Sequence, residues 1–191
     1  STKVTVKDRM KTTTLNNILS ERELYFVYNE IVGASTWSVG TSAYDVEYSS
    51  NKNFAGGAKF SVKNFDGTIL NYPLYFWGQT LVYRISKLLE QKHIGIHTKL
   101  KRMWFLSTPT GSPLHFLHPD EDNNCHSILL FLTPVWETGW RGSFYVDGEE
   151  FKFKPGSAVI FNSAEYHTGE DSISETYNWQ RITLNMVVSG K

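Results

Sequence analysis

The stretch Gly142-Ser-Phe-Tyr-Val-Asp-Gly-Glu-Glu-Phe-Lys-Phe-Lys-Pro-Gly-Ser-Ala-Val-Ile-Phe161 decides the fold class. Asp147-Gly148 is a two-residue hairpin turn, because both residue types tolerate positive φ. Phe151 and Phe153 alternate with Lys152 and Lys154, which gives one buried and one wet face. Pro155-Gly156 makes a second turn before the apolar run Ser157 to Phe161. The texture is short antiparallel strands, and it extends in both directions. Arg102 to Ser107, Ser127 to Leu132 and Gln180 to Val188 also read as β, together with Gly142 to Val146 and Glu150 to Lys154.

Upstream the pattern is mixed. Ser20 and Glu23 have capping-box spacing, Leu24, Val27, Tyr28 and Ile31 recur at helical intervals, and Gly33 stops the run. A second helix is expected over roughly Leu74 to Gln91, and residues 36–72 between the helices read as short strands and loops. Six short strands preceded by helices make a sandwich or barrel braced on one side by those helices. The whole chain, 1–191, reads as one domain, with 1–98 as support and 99–191 as the β core.

Composition narrows the partners. The 191 residues carry 19 Lys+Arg against 19 Asp+Glu, so affinity built mainly from phosphate contacts is disfavoured. One Cys, Cys125, excludes a disulfide scaffold. No apolar run reaches membrane-span length and no apolar signal core opens the chain, which makes the cytoplasm the expected address. The basic run Lys99-Leu-Lys-Arg102 is most simply a wet strand face.

Of six His, the sharpest local feature is His118-Pro119-Asp120. Residues i and i+2 of an extended chain point to one side, so imidazole and carboxylate can share a metal; a turn Asp beside a surface His is the plainer reading. His167, after the strand ending at Phe161, fits as a third ligand, and two His plus one carboxylate suit non-haem Fe(II) oxygen chemistry. The acidic run Asp120-Glu121-Asp122 lacks the oxygen spacing of a hard-cation loop. In the last strand Arg181, Thr183 and Asn185 share one face, while Ile182, Leu184, Met186 and Val188 share the other. The polar face either lines a barrel interior, where a guanidinium fork would grip a carboxylate, or lies wet on an edge strand. His93 and His97 are expected to be solvated, and His126 to be a strand-entry residue.

In order and spacing these pieces resemble the 2-oxoglutarate- and Fe(II)-dependent oxygenases, particularly the prolyl 4-hydroxylase-like branch. The resemblance runs through Arg102-Met-Trp-Phe105, Gly111, His118-Pro-Asp120, Ser127 to Trp136, Trp140-Arg-Gly-Ser-Phe144, Lys154 to Phe161, His167 and Arg181-Ile-Thr183. It implies a mainly β fold with flanking helices, a double-stranded β-helix (jelly roll). It implies His118, Asp120 and His167 as iron ligands. Arg181 would grip the distal carboxylate of 2-oxoglutarate, with Thr183 as hydroxyl partner. The implied reaction takes Fe(II), 2-oxoglutarate and O2, with ascorbate as an accessory reductant, and hydroxylates an unactivated C–H bond, releasing succinate and CO2. The implied substrate is a peptide, prolyl by family default, or a small amino-acid-like molecule. Asp120 favours hydroxylation, because halogenase relatives lack that carboxylate.

Two departures stand out. Relatives usually have Gly-Gly where this chain has Arg141-Gly142, so either the first glycine's backbone freedom is unneeded or the rim of the site differs. A Tyr that relatives often place near the end of the strand Ile128–Leu132 is missing; Leu129 and Phe131 point inward instead, and Trp104 and Thr183 are the nearest substitutes. Aromatics in the loops 48–57, 108–116 and 168–179 (Phe54, Phe116, Tyr177) are candidates for a substrate rim. The alternatives are an oxidative nucleic-acid demethylase with the same site, which zero net charge disfavours, and a non-catalytic jelly-roll module.

Overall fold

The computed structural model describes residues 10–35, 37–39, 58–108, 124–170 and 179–190. His115, His118 and Asp120, and the loop aromatics Phe54, Phe116 and Tyr177, lie outside the described residues.

Within them the chain runs β1 (Thr13–Leu15), α1 (Glu21–Val32), β2 (Ser38–Val39), β3 (Ala58–Lys63), α2 (Tyr72–Glu90), β4 (Lys99–Thr108) and β5 (Cys125–Phe131). It continues as a 3-10 turn (Thr138–Trp140), β6 (Phe144–Val146), β7 (Glu149–Phe151), β8 (Ala158–Asn162), β9 (His167–Gly169) and β10 (Arg181–Ser189). Helix α1 starts as its sequence dictates. Ser20 Oγ accepts from the Glu23 amide while Glu23 Oε2 accepts from the Ser20 amide. Gly33 ends the helix without entering the left-handed region (φ −76°), its amide donating to Asn29 O, so glycine's conformational freedom is not what terminates α1. Helix α2 spans 72–90, with Asn71 as N-cap and Pro73 in its first turn.

The strands form two antiparallel sheets. The larger has the order β1-β8-β5-β10-β4-β3-β2 and the smaller β7-β6-β9. Such non-sequential pairing, with β10 inserted between β4 and β5, produces a jelly roll. The N-terminal part therefore supplies strands as well as helices: β1, β2 and β3 extend the large sheet. Asp147 and Gly148 take φ of 47° and 80°, the geometry expected for the two-residue turn joining β6 and β7.

Strand alternation divides the large sheet into two faces. Ile128 and Leu130 of β5, Ala158 and Ile160 of β8, and Ile182, Leu184 and Met186 of β10 pack with α1 and α2 in the main core. The odd-numbered partners Leu129, Phe131, Val159 and Phe161 turn the other way. They meet Phe144 and Val146 of the small sheet, with Phe153, in a second, aromatic core between the sheets. The helices thus brace one face, and the opposite face lines the interior of the roll.

Candidate active site

Arg181, the first residue of β10, is buried on the inner face with 2% of its surface exposed. Burying a guanidinium demands compensation. Its Nε and Nη2 donate to Gly142 O at 3.0 and 2.9 Å, and its carbon lies 5.6 Å from the Phe153 ring centre. The start of β10 is held from both sides. Tyr28 of α1 accepts a hydrogen bond from the Gln180 amide at 2.8 Å. Thr133 is fully buried just past β5. Its hydroxyl donates to Gln180 O at 2.6 Å and accepts from the Ile182 amide at 2.9 Å. Helix α1, the end of β5 and the Gly142 carbonyl together fix the direction of Arg181.

Gly142 is required there for two reasons. Its φ is +82°, and a Cβ on it would approach Trp136 to 2.7 Å and Arg181 Nε to 3.2 Å. The preceding Arg141 also has positive φ, 59° with ψ −141°, a region natural to glycine. The backbone freedom of a Gly-Gly pair is therefore used at both positions, which answers the first departure noted in the sequence. Arg141 is held there by Glu170 (Nε to Oε1, 2.9 Å) and by Trp136 Nε1, which donates to Arg141 O at 2.8 Å.

His167 opens β9 opposite Val146 and is buried. Its ring lies 4.9 Å from Phe161 and 5.6 Å from Phe144, centre to centre, in the aromatic core. Nδ1 is 3.1 Å from Glu165 O. A carbonyl only accepts, so Nδ1 carries the proton and Nε2 is left with the lone pair, the state a metal requires. This donor chemistry fits a metal ligand. His118 and Asp120, expected beside it, lie outside the described residues, and among the described residues no group of three His, Cys, Asp or Glu converges on a cation site.

Thr183 is buried on the inner face two residues after Arg181, and its hydroxyl accepts from Asn185 Nδ2 at 3.1 Å. Pairing sets Phe131, Thr183, Leu106 and Lys59 in one row across β5, β10, β4 and β3. The next row holds Leu129, Asn185, Trp104 and Ser61. The inward aromatic at the end of β5 is Phe131, which packs on Phe153 at 4.6 Å. Trp104 shares its face with Thr183 and carries the Arg102 guanidinium at 4.2 Å.

Lys59 is an inward residue that sequence reading passed over. It is 8% exposed, and burial together with the Arg102 charge lowers its pKa to about 8. The signal for it was out of reach, because the pairing of β3 with β4 is a long-range event. His97, expected to be solvated, instead packs on His126 with ring centres 4.9 Å apart, and its amide donates to His126 Nδ1 at 3.3 Å. His97 is half-exposed, so it meets solvent as well as the His126 ring at the start of β5. Cys125 is buried at the head of β5.

Comparison with known proteins supports the fold reading. No family model and no curated protein matches the chain. Solved structures do. A 2OG-Fe(II) oxygenase family oxidoreductase from Burkholderia pseudomallei superposes with TM-score 0.67 at 12% identity, covering 93% of this chain and 84% of that one. A prolyl-4-hydroxylase from Pseudomonas putida gives TM-score 0.61 at 18% identity, covering 93% and 92%. A prolyl hydroxylase from Trichoplax adhaerens, in complex with a hypoxia inducible factor peptide fragment, gives 0.61 at 17%, covering 93% and 83%. The chain has the fold of the 2OG-Fe(II) oxygenases, prolyl 4-hydroxylases among them.

Proposed function

We propose that the protein is a 2-oxoglutarate- and Fe(II)-dependent dioxygenase that hydroxylates a C–H bond of a peptidyl substrate, prolyl in the first instance. The observation that carries this reading is the pairing of a metal-competent imidazole with a buried guanidinium across one aromatic core. His167 pairs with Val146 at the end of β6, and Arg181 donates to Gly142 O just before that strand, so both groups border the aromatic core between the sheets.

In this reading His167, His118 and Asp120 hold the iron, and Arg181 with Thr183 holds the far carboxylate of 2-oxoglutarate. Bound there, iron and 2-oxoglutarate supply the oxidising power from O2, with ascorbate as an accessory reductant. The chain's own residues orient and exclude water. Glu165 O fixes the His167 tautomer. Gly142 O, Tyr28 and Thr133 aim Arg181. Phe131, Phe144, Phe153 and Phe161 keep the centre dry. The three iron ligands and Arg181 favour an enzyme over a non-catalytic module. Residues 1–191 then act as one oxygenase domain.

The test is succinate release in the presence of Fe(II), 2-oxoglutarate, ascorbate and proline-rich peptide. His167→Ala should abolish release, and Arg181→Met should raise the KM for 2-oxoglutarate by about 100-fold, the loss of a buried charge-assisted pair. A protein that binds neither iron nor 2-oxoglutarate would refute the reading.

A further inference from the structure

Helix α2 turns Gly78, Leu81, Val82, Ile85 and Leu89 to the protein's interior and presents its opposite side to solvent. That outer side is aromatic. Tyr72, Phe76 and Tyr83 are 59%, 62% and 63% exposed. At 3.6 residues per turn, the spacing i, i+4, i+11 sets them in one line, and Lys87 continues it. The rings are already ordered. Phe76 packs on Tyr72 and Tyr75 with ring centres 6.5 and 5.5 Å apart, and Lys87 Nζ lies 5.5 Å from the centre of the Tyr83 ring.

The face is also uncharged. No Asp, Glu, Lys or Arg occurs from Gly67 to Tyr83, in a chain that is 20% charged and therefore has charges to spare for a wet helix face. Helix α1 is built otherwise: its exposed Phe26 lies one turn from exposed Arg22 and one turn from exposed Glu30. A continuous line of exposed rings without charges marks a contact surface, where a single exposed ring does not.

We propose that this face is the interface of a homodimer, in which α2 packs antiparallel on α2 of a second copy about a two-fold axis at Gln79–Thr80. Three observations select a second copy. The first is self-complementarity. Reversal about that centre sets Phe76 on the partner's Tyr83 and Tyr83 on the partner's Phe76, and it brings Lys87 to the partner's Tyr72, a cation beside an aromatic face. The second is area. Such a ring offers about 150–250 Å², so the three present roughly 350 Å² at their exposure. Gln79, Thr80 and the Lys87 stem extend this toward the ~800 Å² per partner of a standard interface, which fits a concentration-dependent dimer. The third is charge. A helix that lies on a membrane flanks its apolar line with cations for the lipid headgroups. Here Lys87 pairs with Glu90 at 2.8 Å and Arg84 with Glu23 at 3.1 Å, so the cations beside the line are already neutralised.

Helix α2 braces the outer side of the large sheet, so the pairing lies across the sheet from Arg181. It rests on no part of the oxygenase reading.

The test is sedimentation equilibrium on the full chain over micromolar to submillimolar concentrations. The average mass should climb from one chain toward two as concentration rises. Phe76→Lys alone and Tyr83→Glu alone should each weaken the dimer at least about tenfold. Both side chains are exposed, so thermal melts of the two variants should match the parent. An equimolar mixture of the two variants should recover dimer, because the proposed register sets the new cation of one against the new anion of the other. A single-chain mass at every concentration, a dimer indifferent to Phe76→Lys, or a mixture that stays monomeric would each overturn the proposal. A monomer that floats with phosphatidylcholine vesicles would likewise overturn it and assign the face to a membrane.

Discussion

The Arg181 guanidinium is anchored on one backbone atom, Gly142 O, which accepts from both Nε and Nη2 at 3.0 and 2.9 Å. That contact ties the last strand of the large sheet to the entrance of β6 in the small one. It makes the conformation of a two-residue turn, Arg141-Gly142, a determinant of where the buried charge points.

Gly142→Ala should therefore be severe. The new methyl needs positive φ and meets Trp136 at 2.7 Å. A loss of about 2–3 kcal/mol in unfolding free energy is expected, measured by urea denaturation. On the proposed function, binding of 2-oxoglutarate, followed by calorimetry under conditions where the variant is folded, should weaken as well, because Gly142 O moves.

Arg141→Gly should behave in the opposite way. Relief of positive φ at Arg141 exceeds the loss of the exposed Arg141–Glu170 pair and the added freedom of the unfolded glycine. The expected gain is ~0.5–1 kcal/mol, a rise in Tm of about 1–4 °C in a thermal melt. A clear drop in Tm would mean that the Glu170 contact, not backbone conformation, holds this turn.

Thr133→Val keeps the side-chain shape but strips the hydroxyl from the Gln180 carbonyl and the Ile182 amide. The buried Ile182 amide and the part-buried Gln180 carbonyl lose their partner, at a cost of about 1–3 kcal/mol. Thr133→Ser, which retains the hydroxyl, should recover most of the lost stability and, on the proposed function, of the 2-oxoglutarate affinity; failure of Ser to do so would assign the effect to the lost methyl.

Stability should fall with acid through His126. Burial first, and the neighbouring His97 second, lower its pKa from 6.5 to about 4. The unfolded chain then binds a proton that the folded chain refuses, so unfolding free energy declines as pH drops from 6.5 to about 4 and levels off below. The decline attributable to this group is ~2 kcal/mol after allowing for solvent screening. His126→Asn retains an acceptor for the His97 amide and should flatten that window in pH-dependent denaturation.

Local patterns were legible in the chain wherever the cause was local. The Ser20–Glu23 cap, the Asp147-Gly148 turn and the two faces of β10 all follow from residues a few positions apart. The ordered spacing of His167 and Arg181 likewise singled out both residues, and both are buried at the aromatic core.

What lay beyond the sequence depends on strands meeting at a distance. Arg141 could be seen to stand where relatives have glycine, but only the turn between the sheets shows that its φ is positive. The run Lys99–Arg102 read as a wet face, and Lys99 is exposed; only strand pairing and the register break at Lys101 show that Leu100 enters the main core while Arg102 lies on Trp104. By itself, then, the sequence determined the alternation and the turns, and it named the chemical types of the candidate site groups, because these are set by covalent neighbours. Tertiary structure alone decided which groups share a face and which charges are buried together, because register and desolvation arise only when distant strands pack.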